Sequence, residues 1–108
     1  MQIPIETKAN LRSYKRFTVL QKAQYYTEKN HFYRDCTIIE ISRSGAAIMF
    51  PKDENVVKDN IIVLEVLKEL ETIVLKGSIV RVSMIENGYI AGVKFTKLID
   101  MNVLQHLA

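Results

Sequence analysis

Two strand-like runs, Thr72–Met84 and the alternating Tyr89–Phe95, stand on either side of Glu86-Asn87-Gly88. Asn-Gly readily takes the left-handed angles of a type I′ turn, so this stretch predicts a β-hairpin and commits the chain to antiparallel pairing. The rest of the chain has the same grain. Phe17, Val19, Ala23 and Tyr25 share one parity and Thr18, Lys22 and Gln24 the other, the period of a half-buried strand. Glu28–His31 reads as a turn, and Arg34–Ser42 as a second strand rich in β-branched Thr37, Ile38, Ile39 and Ile41. Ser44-Gly45 bends the chain into Ala46–Phe50. Ile61–Leu67, broken only by Glu65, reads as a central strand, Lys68–Glu71 as a hairpin turn, and Gly77 as a bulge or bend. Only Leu98, Met101, Leu104 and Leu107 recur at helical spacing, which predicts an amphipathic C-terminal helix over 98–107. About six or seven short strands followed by one helix predict an all-β domain, a small antiparallel barrel.

A chain of 108 residues, 48% hydrophobic and 25% charged, is one globular domain with enough apolar side chains for a core. Its single cysteine, Cys36, permits no internal disulfide and has no metal-ligating neighbours, which fits a reducing cytoplasm. The first residues lack the apolar core of a signal peptide, and no apolar run reaches membrane-spanning length. The net charge of +3 is concentrated: Lys8, Arg12, Lys15 and Arg16 face only Glu6 in residues 1–16, and the remainder is neutral. The domain thus divides into a basic arm, 1–16, and a body, 17–108. Such an arm suits a compact anion, and the neutral body argues against a nucleic-acid polymer.

Two motifs carry the chemistry. Arg12 and Arg16 lie four residues apart, on one side of the chain whether it is extended or helical. Extended, their Cα atoms would be about 13 Å apart, close to the span of a dinucleotide. Each planar guanidinium can bind phosphate or bridge the O6/N7 edge of guanine. By spacing alone the pair reads more readily as a solvated basic tail. The second motif is Glu40-Ile-Ser42-Arg-Ser-Gly45. Strict alternation puts Ile38, Glu40 and Ser42 on one face, with Ile39 and Ile41 toward the core. Glu40 can accept hydrogen bonds from guanine N1–H and N2–H₂, Ser42 can donate, and Gly45 permits positive φ or close backbone approach. The plain alternative is an edge carboxylate, a turn serine and a turn glycine.

Together the motifs resemble the paired signature of the PilZ domain family, RxxxR followed by [D/N]xSxxG. Gly92-Val-Lys-Phe95 is similar to the G-[V/I]-x-F that closes that family's last strand. The resemblance runs from Arg12 to about Lys97. It implies a six-stranded barrel and binding of cyclic di-GMP, with Arg12 and Arg16 wrapping the ligand, Glu40 reading guanine, and Ser42 and Gly45 shaping the pocket. Lys15, Arg43 and Ser44 are further candidate contacts, although a solvated Arg43 is the simpler expectation. Leu11, where an arginine in this family accompanies a stacked ligand pair, implies one ligand per domain. Glu40 departs from the pattern, because Asp or Asn is expected there. The added methylene shifts the acceptor by about a bond length, which hydrogen bonding at ~2.7–3.2 Å must accommodate. The implied function is a cytoplasmic, non-enzymatic second-messenger receptor that signals to a downstream protein. The alternative is a PilZ-like interaction module that does not bind the dinucleotide, because of Glu40.

No catalytic or metal motif competes with that reading. His31 and His106 are isolated, Cys36 reads as a small buried hydrophobe, and Tyr25, Tyr26, Phe32 and Tyr33 read as packing residues near strand ends. No Gly-rich phosphate loop, HExxH, GxSxG or paired-carboxylate site occurs.

Overall fold

The computed structural model describes residues 14–52 and 56–108. Six strands follow in chain order: β1 Phe17–Thr27, β2 Arg34–Ile41, β3 Gly45–Pro51, β4 Ile61–Lys68, β5 Glu71–Ile85 and β6 Gly88–Phe95. Helix α1, Met101–Leu107, ends the chain. All pairings are antiparallel in the order β1-β2-β3-β6-β5-β4, and β4 pairs with β1 to close a barrel. The expected all-β barrel with a C-terminal helix forms, with six strands.

The inward parity of each strand fills the barrel. Ile38, Ile41, Ile48, Phe50, Ile62, Leu64 and Val66 are its largest fully buried side chains, and Tyr25 meets the Phe50 ring edge-to-face at 4.9 Å. Cys36 is buried among them, as its reading as a small hydrophobe requires. Ile99, Leu104 and Leu107 join the same core. The helix starts later than expected because Asp100 caps it: its backbone is extended, and its carboxylate accepts from the Asn102 N–H at 2.8 Å. Among the described residues no helix is long and apolar enough to cross a membrane.

Both expected two-residue hairpins are present, with different turn chemistry. Between β5 and β6 the paired residues are Ile85 and Gly88, so the loop is Glu86-Asn87, and neither residue has positive φ. The expected type I′ turn at Asn87-Gly88 does not form. Gly88 instead opens β6 opposite Pro51 at φ 156°, where a Cβ would run into the Phe50 carbonyl; that backbone angle and the strand approach, not a type I′ turn, require the glycine. Between β4 and β5 the left-handed residue is Glu69, at φ 58°.

Two bulges decide which way the charged residues point. In β2 the register against β3 slips at Ile39: Ile38 pairs with Ile48, yet Glu40 pairs with Ala47. Cys36, Ile38 and Ile41 are buried, whereas Ile39 is not. This corrects the expectation that Ile39 faces the core and Ile38 shares a face with Glu40. Unbroken alternation from Cys36 and Ile38 would send Glu40 inward; the extra residue turns it out and returns Ile41 to the core. In β5 the slip comes at Val80, not at Gly77: Ile79 pairs with Val93, but Arg81 pairs with Gly92. Arg81 is thereby turned out and Val82 packs against the core.

Candidate functional site

Pairing of β2, β3, β6 and β5 lines up one outward rung, Glu40–Ala47–Gly92–Arg81. At ~4.8 Å between strands, its two charged ends are about 14 Å apart at Cα, separated by a floor of two small residues. Over this floor lies a cleft of about 350 Å³ lined by Tyr14, Arg16, Glu40, Ser42, Ser44, Gly45, Arg81 and Lys94 among others. Arg16 reaches in from the segment before β1, and its Nη1 lies 3.6 Å from Glu40 Oε1. The pair is half-exposed, so ligand atoms can reach both groups.

The β2–β3 turn is held by its own side chains. The Ser42 N–H donates to the Gly45 carbonyl at 2.9 Å, and Ser42 Oγ accepts from the Ser44 N–H at 3.2 Å. Ser42 Oγ also lies 3.3 Å from Ser44 Oγ. Ser42 is the one buried polar residue among those described, and its hydroxyl fixes the turn at the foot of the cleft. Gly45 does not have positive φ; a Cβ there would strike the Val93 carbonyl, so glycine is needed for β3 to lie against β6. Arg43 does not itself line the cleft but backs Tyr14, which does. Its Nε donates to the Ile99 carbonyl at 3.0 Å while the Ile99 N–H donates to the Arg43 carbonyl at 2.9 Å, and its guanidinium lies 5.7 Å from the Tyr14 ring centre. It is half-buried and bonded rather than solvated.

Of the sequence-predicted residues, Arg16, Glu40, Ser42, Ser44 and Gly45 therefore gather at one cleft. Lys15 does not line it: its Nζ sits 5.3 Å from the Phe17 ring centre. Arg12 and Leu11 lie outside the described residues. Tyr14, Arg81 and Lys94 were not anticipated. Arg81 did leave a trace in the sequence. Ile38-Ile39-Glu40-Ile41 and Ile79-Val80-Arg81-Val82 share one pattern, an apolar pair, a charge and an apolar residue, and both contain a bulge. Among the described residues no cluster of His, Cys, Asp or Glu is fit to hold a metal ion.

Comparison with solved structures finds the same barrel, as three of the matches illustrate. Bacillus subtilis Inhibitor of motility (MotI/DgrA) aligns with a TM-score of 0.68 at 14% identity, over 89% of this chain and 47% of that one. The MrkH–c-di-GMP complex of K. pneumonia aligns at 0.64 and 22% identity, over 87% and 48%. The PilZ domain of CeSA from a cellulose-synthesizing bacterium aligns at 0.60 and 12%, over 86% and 90%. The chain thus spans about half the length of MotI and of MrkH, and nearly the whole of the CeSA domain. Comparison with curated proteins finds no match. The family model for the PilZ domain matches residues 10–108, and the chain belongs to that family.

Proposed function

We propose that this chain is a receptor for cyclic di-GMP that carries out no chemistry of its own and passes the signal to a downstream protein in the cytoplasm. The observation that carries this reading is the meeting of Arg16 and Glu40 at the mouth of a cleft founded on the Ser42–Gly45 turn. A phosphate acceptor and a guanine donor edge are the complements of those two groups. Support also comes from MrkH, a protein of the same fold whose structure contains c-di-GMP. Arg12 supplies the second guanidinium, and binding draws the basic arm onto the barrel. The arm then presents a different surface to the partner, because only a ligand with different affinity for two arrangements can shift between them.

The Arg16–Glu40 ion pair also gives substance to a second reading, an interaction module without ligand. Here the longer acid occupies the arginine that a phosphate would need. Calorimetric titration with cyclic di-GMP separates the two. The receptor reading expects saturable binding of one ligand per chain, weakened about tenfold or more in Arg16→Ala, as loss of a charge-assisted hydrogen bond to phosphate implies. Absence of binding by the folded wild-type chain selects the interaction module.

A further inference from the structure

Arg81 is a cation in the cleft that neither motif contains. Its outward direction is constructed: alternation from Ile79 would bury it, and the bulge at Val80 turns it out, as the bulge at Ile39 turns out Glu40. Bulges that re-aim a side chain are concentrated beside functional sites. The two residues end the same rung, so the cleft is walled by Glu40 with Arg16 on one side and by Arg81 on the other.

The strand beneath Arg81 is shaped to receive it. Gly92 faces outward yet is buried, and a Cβ built on it would lie 3.2 Å from both Cγ and Cζ of Arg81 and 3.3 Å from Nη1. The side chain therefore runs across the glycine, over the cleft floor. At Gly45, Gly77 and Gly88 the nearest obstruction to a Cβ is a backbone carbonyl; at Gly92 the three nearest atoms all belong to the Arg81 side chain. Among the described residues no carboxylate forms an ion pair with Arg81.

We propose that Arg81, seated on Gly92, is a ligand-binding residue of this cleft and stacks its guanidinium plane on a purine base. The inference rests on the cyclic di-GMP reading and extends it to a residue outside the motifs. A guanidinium lying on the strand turns its second face to the cleft, and a planar cation fits the face of a base as a lysine ammonium does not.

The test is calorimetric titration of cyclic di-GMP into wild type, Arg81→Ala, Arg81→Lys, Gly92→Ala and the Gly92→Ala/Arg81→Ala double variant, with Arg16→Ala alongside. Thermal unfolding accompanies each titration. All should fold, because Arg81 is exposed and the atoms displaced by a Cβ at Gly92 belong to a flexible side chain. Arg81→Ala should bind about fivefold or more weakly, in the range of a cation–π contact, and Arg81→Lys should not restore affinity. Gly92→Ala should weaken binding in the wild-type background but add nothing to Arg81→Ala. Wild-type affinity in Arg81→Ala, with Arg16→Ala impaired, overturns this inference and leaves the receptor reading standing. Full rescue by lysine, or additive losses in the double variant, overturns it equally. No binding by the wild-type chain removes both.

Discussion

Shortening one side chain should tighten the site. In Glu40→Asp the carboxylate withdraws by about a bond length, ~1.5 Å, from an Arg16 contact of 3.6 Å, and the ion pair loosens. The gain is bounded by the strength of that pair. In bulk water two charges at this distance attract by about 1.2 kcal/mol, but the side chains are 51% and 38% exposed, and such pairs contribute only about 0.2–1 kcal/mol. Arg16 must release that amount before it can give its full set of donors to a phosphate. Glu40→Asp should therefore bind cyclic di-GMP about 1.4- to fivefold more tightly than wild type by calorimetry. Because the pair is exposed, the advantage should shrink in about 1 M salt, where the screening length falls to ~3 Å. Weaker binding by Glu40→Asp at low salt would mean that Glu40 reads guanine through its full length, and the competition argument would be wrong. A gain unchanged by salt would show that it did not arise from the ion pair.

Two further outcomes concern the barrel itself. Glu69 holds φ 58° in the β4–β5 turn, a conformation that costs a non-glycine residue about 1–2 kcal/mol. Glu69→Gly should raise the urea midpoint, by about 1 kcal/mol in stability once the lost 3.7 Å contact with His106 is allowed for; a fall would mean that contact outweighs the backbone relief. The Tyr33 phenol donates to Glu65 at 2.8 Å, and this hydrogen bond to a carboxylate raises its pKa above the ordinary 10.0. The folded state thus holds the proton more tightly than the unfolded one. Its contribution to stability is complete below pH 10.0 and is lost as pH rises through the higher folded value. Tyrosinate absorbance should show the delayed component in wild type, absent in Tyr33→Phe and returned toward 10.0 in Glu65→Gln.

Alternation located β1 and β6, β-branched and apolar runs located β2 and β4, turn residues set off β3 and β5, and Leu104 and Leu107 disclosed the helix through a change of period. What alternation could not place was its own interruptions. Gly77, the obvious candidate for a bulge, runs in register, whereas the register slips at Ile39, at Val80 and between Thr18 and Gln21, all within stretches that look like ordinary strand. An apolar side chain at a bulge leaves no compositional mark; only the misplaced charge after it does. Gly88 misled in another way, because its proximity to Phe50 and Pro51 is a contact between β3 and β6 that local turn chemistry cannot anticipate. At the site, Arg16, Glu40, Ser42 and Gly45 were legible as local motifs. Arg81 was not, since it lies 41 residues beyond Glu40 and joins it only through a rung spanning four strands.

Closure of the barrel limits how a partner can be recruited. Each described strand has two neighbours, so strand addition, which draws affinity from the main chain and tolerates many sequences, finds no wholly free edge. The seam is short at one place: β1 meets β4 only through Gln24–Thr27, which leaves Phe17–Ala23 without a β4 partner. A partner that uses the main chain is confined to that stretch, and elsewhere it must recognise side chains on the barrel wall, its turns or the helix.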